Sequence, residues 1–168
     1  MPTALIGPRV ALRPVAPADH AELRALHAAP EVARWWHAVP DAFPDAWEVE
    51  HGWTIWLGRE RIGYCQAEEE LEPHYRSAAA DIFVGPQHVG RGLGTEALAV
   101  LCAHIFDDRG HHRMTIDPDV GNARAIASYA KVGFRPVGVL REATRFDDGS
   151  LGDALLMDLL AAELVRPG

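Results

Sequence analysis

The sequence has little cysteine and no long apolar run. Its 168 residues include two cysteines, Cys65 and Cys102, which lie far apart and form neither a C-x-x-C pair nor a Cys/His spacing for a metal. We therefore expect two buried thiols in a reducing compartment, a cytoplasmic location and no metal site. No apolar stretch approaches the ~18 residues of a membrane span, and the N-terminus does not read as a signal peptide, so no membrane contact is expected.

The sequence also lacks an excess of basic residues. Lysine and arginine total 16 against 24 aspartates and glutamates, for a formal net charge of −8. Nucleic-acid binding requires a basic surface, so we expect no nucleic-acid partner. The acidic field favours a cationic substrate, although many proteins are equally acidic without binding one. Length and ordinary composition predict one domain over residues 1–168, without repeats or an interdomain linker.

The clearest local pattern lies at residues 81–106. An apolar strand ends in a loop with Gly90, Gly92 and Gly94 at alternate positions, and an amphipathic helix follows. Glycine lets the backbone approach a ligand, and the free amides and dipole of a helix N-terminus favour an anion. The pattern predicts a pyrophosphate site on the backbone amides of residues 89–95, with Arg91 adding charge. A tight strand–helix junction without a ligand is the alternative.

Hydrophobic spacing and the positions of proline and glycine predict the order β α (α) β β β α β α β β. Strands are expected at 10–15, 53–57, 62–68, 77–84, 113–117, 135–144 and 154–160, and helices at 20–27, 94–106 and 123–132. One more helical turn is expected at 31–36 and a short helix near 45–50. Val137, Val139 and Leu140 are expected to face a hydrophobic core.

Four local predictions concern polar residues. Asp19 and Glu22 have the spacing of a capping box before the first helix. Asn122 is expected to cap the helix at 123–132, and Gly133 to end it. The acidic run 68–72 is predicted to be a solvated connection. His111 and His112 are expected in a surface turn rather than a metal site.

A second motif accompanies the glycine loop. The segments V-G-R-G-L-G-T (89–95) and N-A-R-A-I-A-S-Y-A-K-V-G-F (122–134), with the order of elements, resemble the GNAT superfamily of N-acetyltransferases. The resemblance implies an α/β (α+β) GNAT fold, with a mixed, mostly antiparallel sheet splayed between its two middle strands and flanked by about four helices. It also implies acetyl-CoA as co-substrate. The superfamily usually has Gln or Arg at the position of Val89, which contributes mainly its backbone amide.

The resemblance also implies where acetyl-CoA is held. The pantetheine arm would pair between the strand at 81–84 and the strand at 113–117, with an amide near Val84 facing the thioester oxygen. The implied cofactor-binding residues are Phe83, Val84, Val89, Gly90, Arg91, Gly92, Gly94, Thr95 and Asn122.

Three residues are candidates for the chemistry. Tyr129 is the predicted acid, since a phenol with a pKa of about 10 can protonate a departing thiolate, and the resemblance assigns the same role; a packing aromatic is the alternative. Asp81 is predicted to orient the amine and pass on its proton, directly or through water. Asp117 is predicted to hold a second amine or hydroxyl of the substrate. The alternatives are a strand-edge charge for Asp81 and a turn residue for Asp117.

The substrate prediction rests on similarity within the superfamily. Residues 115–129, 81–85 and the pair Trp35-Trp36 are similar to aminoglycoside 6′-N-acetyltransferases and their siderophore-lysine relatives. Trp35 and Trp36, beside acidic residues, suit stacking and cation–π contact with a polyamine sugar, although one of them can simply pack its helix onto the sheet. We predict a small polycationic amine as partner and acetylation of an aminoglycoside 6′-amine, by direct attack on the thioester, as an antibiotic-resistance activity.

Two other readings remain open. The C-terminal segment R-E-A-T-R-F-D-D-G-S-L-G-D-A-L-L-M is also similar to ribosomal-protein N-terminal acetyltransferases, so a protein N-terminus or a siderophore lysine is the alternative substrate. A CoA-binding sensor without turnover is a further alternative, against which Tyr129 argues. The protein is expected to be a monomer or a homodimer.

Overall fold

The computed structural model describes residues 3–44 and 52–168, which form one eight-stranded sheet and four α-helices. The strands are β1 (Leu5–Ile6), β2 (Val10–Pro14), β3 (Gly52–Leu57), β4 (Glu60–Glu70), β5 (Ser77–Val84), β6 (Arg113–Ile116), β7 (Arg135–Arg145) and β8 (Leu151–Leu160). The helices are α1 (His20–Ala28), α2 (Pro30–Trp36), α3 (Leu93–Asp107) and α4 (Ala123–Val132). The predicted helix near residues 45–50 lies outside the described residues.

The sheet opens between its two middle strands. The strand order is β1-β2-β3-β4-β5-β6-β8-β7, and β5–β6 is the parallel pair among otherwise antiparallel neighbours. Parallel pairing joins Ala78 to Met114 and Ala79 to Thr115, and the described part of β6 offers no partner to residues 80–84. The backbone of Phe83 and Val84 therefore faces a gap on the β6 side. This confirms the predicted splay and the fold class.

Two apolar clusters cover the faces of the sheet. Because side chains alternate along a strand, Cys65 and Tyr64 on β4 point to opposite faces. Cys65 belongs to the larger cluster, in which α3 buries one complete side, including Leu98, Leu101, Cys102 and Ile105. Tyr64 belongs to the smaller cluster, formed with Leu23, Val32, Phe43 and Phe83. Both cysteines are buried free thiols, as expected.

The predicted core face of β7 is wrong. Val137 and Val139 are each 55% exposed and Leu140 is 39% exposed. The reason is position, since β7 is the last strand of the sheet, paired on one side only with β8. Hydrophobic patterning identifies the strand but cannot tell that it lies at the edge.

The acidic connection at 68–72 is also partly wrong. β4 continues to Glu70, so Glu68 and Glu69 are strand residues. The Glu69 carboxylate lies 2.7 Å from Nε2 of His111 and accepts a bond from Arg109. His111 is only 3% exposed and therefore does not lie in a surface turn. An ion pair between β4 and the turn after α3 explains both errors, because the two segments are 42 residues apart in the chain.

The predicted capping box at Asp19 is not formed. The Asp19 carboxylate makes no cap bond to α1. It is buried, and it accepts hydrogen bonds from the Ala16 amide (2.9 Å), the Thr54 hydroxyl (2.9 Å) and Nε of Arg61 (2.6 Å). Asp19 thus ties the start of α1 to β3 and β4, which local sequence could not reveal.

Among the described residues, none of the helices is both long and apolar enough to span a bilayer.

Candidate active site

The glycine loop leads directly into α3. Gly90 and Gly92 both have φ of +77°, a left-handed conformation that residues with a Cβ rarely adopt. Gly92 is the N-cap of α3 and supplies no side-chain cap bond, so the first amides of the helix lack an internal partner. A Cβ on Gly94 would lie 3.2 Å from Cγ2 of Val84, so the loop packs closely on the end of β5. This backbone fits a phosphate ligand.

A buried glutamate holds the loop from behind. Glu96, in the first turn of α3, accepts bonds from the Arg9 amide (2.6 Å), the Val10 amide (2.9 Å) and Nε of Arg9 (2.7 Å). Arg9 also donates to the carbonyl of Arg91 at 2.9 Å. Burial alone would raise the pKa of the Glu96 carboxyl, but the bonds from Arg9 and Val10 outweigh it, and the pKa lies below its usual value. Sequence reasoning missed Glu96 because Arg9 is 87 residues away.

Helix α4 begins and ends as predicted. Oδ1 of Asn122 accepts a bond from the Ala125 amide at 3.2 Å, and Gly133 ends the helix with φ of +115°. The Thr95 and Ser128 hydroxyls lie 2.6 Å apart, which fixes α4 against the first turn of α3. As a result, Tyr129 is presented to the sheet next to the opening between β5 and β6.

A cavity of about 100 Å³ lies at this opening. It brings together six of the predicted site residues from four segments of the chain: Trp35, Trp36, Asp81, Asp117, Asn122 and Tyr129. The remaining lining residues are Ile82, Ile116, Pro118, Asp119, Thr144 and Phe146. The splay therefore ends in an acidic, partly aromatic cavity.

The titratable groups of the cavity perturb one another. Burial raises the pKa of Asp81, the Gln66 side chain opposes this through a 3.1 Å hydrogen bond, and Asp117 and Glu68 raise it further. Burial also raises the pKa of Tyr129, with the carboxylates of Asp81 and Asp117 adding to the effect. Tyr129 consequently keeps its proton throughout the neutral range, and Asp81 is more basic than an ordinary aspartate.

The two tryptophans differ in their surroundings. Trp36 belongs to an aromatic cluster, with its ring centroid 4.9 Å from Phe83 and 5.7 Å from His27. Trp35 has the guanidinium of Arg34 at 4.6 Å from its ring centroid. Trp36 thus packs onto the sheet, as the alternative expected for one of the pair, while both indoles also contribute to the cavity wall. Of the acidic residues that follow Trp36 in the sequence, Asp45, Glu48 and Glu50 lie outside the described residues.

Sequence reasoning missed the contribution of Asp119, Thr144 and Phe146. Asp119 follows Asp117 by two residues, and its Oδ1 accepts a bond from the Gly121 amide at 2.7 Å. Phe146, after β7, lies near the segment that follows α2, where the Ala38 amide donates to Oδ2 of Asp147 at 3.0 Å. The sequence signal that could have identified Asp119 is its pairing with Asp117 on either side of Pro118. The contact between the β7–β8 turn and the segment after α2 is visible only in the tertiary structure.

The chain belongs to the GNAT acetyltransferases, since the profile of the Acetyltransferase (GNAT) domain matches residues 9–135. The chain spans about half the length of the curated aminoglycoside acetyltransferases that it matches.

Similarity to individual proteins is modest. The chain is 32% identical over 95 residues to aminoglycoside N(6′)-acetyltransferase type 1 of Klebsiella pneumoniae, a match that spans 50% of this chain and 47% of that protein. Mycobacterium smegmatis RimJ in complex with CoA-disulfide superposes with a TM-score of 0.82 at 27% identity, over 98% of this chain and 89% of RimJ. Aminoglycoside acetyltransferase AAC(6′)-Ib in complex with coenzyme A gives 0.74 at 25% identity, over 92% and 96%.

Proposed function

We propose that this enzyme acetylates the 6′-amine of an aminoglycoside and thereby confers resistance to the drug. The observation that carries the proposal is the cavity at the end of the splay, where the carboxylates of Asp81, Asp117 and Asp119 meet the indoles of Trp35 and Trp36. We further propose that residues 1–168 form a single catalytic domain.

The glycine loop and the splay would hold acetyl-CoA, which supplies an activated acetyl group as a thioester. In this proposal the backbone amides of residues 89–95 bind the pyrophosphate, and Arg91 adds a positive charge. The unpaired backbone edge of Phe83 and Val84 accepts the amide groups of the pantetheine arm. Thr95 and Asn122 complete this side of the site. The free first turn of α3 and the gap beside β5 support the assignment.

Asp81 and Tyr129 would divide the proton chemistry. The raised pKa of Asp81 suits a carboxylate that binds an ammonium group and then takes its proton. Tyr129 holds a proton at neutral pH and lies at the cavity wall, which supports a role as proton donor to the leaving thiolate. The amine attacks directly, so no covalent enzyme intermediate is required.

The number of carboxylates favours a polyamine over a single amine. Three aspartates line one small cavity, and their negative charges repel one another unless a cation binds between them. An aminoglycoside carries several ammonium groups on rigid rings and can pair with all three. A peptide N-terminus carries one. Similarity to the Klebsiella pneumoniae aminoglycoside N(6′)-acetyltransferase supports the same choice.

Acetylation of a protein N-terminus is the second candidate. RimJ superposes over 98% of this chain with a TM-score of 0.82, against 92% and 0.74 for the aminoglycoside enzyme AAC(6′)-Ib. Within the sequence, the segment of β7 and β8 favours this second candidate, because it is the part that is similar to ribosomal-protein N-terminal acetyltransferases.

A pair of drugs tests the proposal. Neomycin and paromomycin differ at the 6′ position, which is an amine in the first and a hydroxyl in the second. Purified enzyme with acetyl-CoA and a thiol dye should release CoA with neomycin, kanamycin and tobramycin but not with paromomycin. Asp81→Asn should abolish this release while sparing acetyl-CoA binding by calorimetry. Release with ribosomal-protein N-terminal peptides and none with any aminoglycoside would refute the substrate, and equal rates with both drugs of the pair would refute the 6′ position.

A further inference from the structure

A chain of three polar side chains leads from the interior of the sheet to Asp81. The Tyr64 hydroxyl lies 2.9 Å from Oε1 of Gln66, and Nε2 of Gln66 lies 3.1 Å from Oδ2 of Asp81. The geometry follows from the sheet register, because Gln66 on β4 is paired directly with Asp81 on β5. Side chains of such a cross-strand pair lie on the same face and within reach of each other.

The direction of each hydrogen bond in this chain is determined. A side-chain amide has one accepting and one donating end. The Asp81 carboxylate only accepts, so Nε2 of Gln66 must face it. Oε1 of Gln66 then accepts from the phenol, which must be the donor. Burial raises the pKa of Tyr64, with smaller contributions from Cys65, Asp81 and Glu68, so the phenol retains the proton that this arrangement needs.

Tyr64 is a rigid anchor for the amide. Its ring is only 1% exposed and packs against Phe43 and Phe83, with centroid distances of 5.3 and 5.9 Å. Gly52 leaves room for its hydroxyl, since a Cβ at that position would lie 2.7 Å from the oxygen. The phenol therefore has little freedom to move away from Gln66.

We propose that Gln66 is a positioning residue for amine acetylation: anchored by Tyr64, it holds Oδ2 of Asp81 and leaves Oδ1 to receive the substrate amine. Among the described residues, Oδ1 of Asp81 has no hydrogen-bond partner. The assignment rests on the proposed role of Asp81 in binding the amine. Because a side-chain amide does not readily pass a proton along, the chain orients the carboxylate and does not conduct its proton into the protein interior.

Gln66 is also the group that favours the charged form of Asp81. The other titratable groups that face Asp81 are Tyr64 and Glu68 from β4, Asp117 after β6 and Tyr129 from α4. Both carboxylates among them oppose a second negative charge, as does burial. Removal of the Gln66 donor must therefore raise the pKa of Asp81 further. Activity that depends on ionised Asp81 would then begin at a higher pH.

The test compares Gln66→Met, which has similar length and no amide, with Tyr64→Phe, which removes the anchor alone. Tyr75→Phe is the matched control, since this tyrosine is 76% exposed and does not line the cavity. The measurements are kcat and KM for neomycin as a function of pH, and the side-chain carboxyl titration of ¹³C-aspartate-labelled enzyme without substrate. Near-UV circular dichroism verifies the fold; if Gln66→Met does not fold, Gln66→Asn, one methylene shorter, replaces it.

We expect the acidic limb of kcat/KM and the Asp81 titration to move up by about one pH unit in Gln66→Met, as befits loss of a bond to a charged group. The KM for neomycin should rise about tenfold at neutral pH. Tyr64→Phe should show a smaller shift in the same direction, and Tyr75→Phe none. A uniform loss of rate with an unshifted titration would show a merely structural role and overturn the proposal.

The two proposals fail in different ways. Wild-type enzyme that acetylates none of the aminoglycosides overturns the proposed function. Active wild-type enzyme whose Asp81 titrates at the same pH in Gln66→Met overturns only the assignment of Gln66.

Discussion

Replacing Tyr129 by phenylalanine removes a single oxygen from the cavity wall. The ring packs beside the main apolar cluster, with its centroid 6.4 Å from that of Phe134, and phenylalanine preserves this contact. Within the described part of the chain no residue forms a hydrogen bond with the Tyr129 hydroxyl. The substitution therefore breaks no internal bond, and we expect the melting temperature to change by less than about 2 °C.

The expected effect on turnover is much larger. If the phenol protonates the leaving thiolate, its loss should lower kcat by about 10²- to 10⁴-fold, the usual contribution of a general acid. That range equals about 2.7–5.5 kcal/mol in the activation free energy. Affinity for acetyl-CoA should change by less than about twofold, because the proposed cofactor contacts come from the glycine loop, β5, Thr95 and Asn122 rather than from this oxygen.

Steady-state release of CoA, with calorimetric titration of acetyl-CoA, separates these effects. Tyr75→Phe, which removes an exposed hydroxyl outside the cavity, is the control and should behave as wild type. Because burial raises the pKa of Tyr129, the wild-type acid remains protonated at all pH values below about 10. A decrease in kcat of less than threefold, or an equal decrease in kcat and acetyl-CoA affinity, would refute the role of Tyr129 as the acid.

Two further predictions concern the glycine loop. Gly92→Ala should destabilise the fold by about 1–2 kcal/mol, because alanine is strained at positive φ, and it should weaken acetyl-CoA binding in calorimetry. The control is Gly138→Ala, because a Cβ at that position meets no atom within 4 Å. Equal effects of the two substitutions would contradict the prediction. Glu96→Gln removes the negative charge and replaces one accepting oxygen by an NH2 group that faces donors of Arg9, either its guanidinium or its backbone amide, and should lower the unfolding free energy by about 2–4 kcal/mol in urea denaturation at pH 7. Because the pKa of Glu96 is lower in the folded state than in the unfolded state, its stabilisation is complete above the unfolded pKa of about 4.3 and is lost as the pH falls through the folded-state pKa. The stabilities of wild type and variant should therefore converge in acid. A stability difference that persists at pH 2, or an equal loss in the exposed control Glu31→Gln, would argue against the prediction.

The parts of the site that lie within one strand–loop–helix unit were predictable from the sequence. Gly90 and Gly92 adopt the positive φ that glycine allows in a tight loop, and Asn122 caps the helix that Gly133 ends. Such features depend on residues within a few positions of each other. The resemblance carried by these two units also indicated the splay, which the short β5–β6 pairing confirms.

Other parts depended on contacts between distant residues. Val137 and Val139 have the pattern of a buried strand, but the sheet order places β7 at the edge. Asp19 has the spacing of a capping residue, but Arg61 and Thr54 bind its carboxylate. For β7 the position in the sheet leaves the apolar face uncovered, and for Asp19 the bonds from distant residues outweigh the local capping preference.

By itself the sequence indicated the family, the glycine-rich start of α3 and the Asn122-capped start of α4, and it named Asp81, Asp117 and Tyr129 as candidate site residues, because these are properties of short motifs. Only the tertiary structure decided which groups surround them. The register of β4 on β5 places Gln66 beside Asp81, and the turn after β7 adds Phe146 to the cavity wall. The physical reason is that pKa and orientation depend on through-space neighbours, and strand order and register assemble those neighbours from segments that local patterns treat as unrelated.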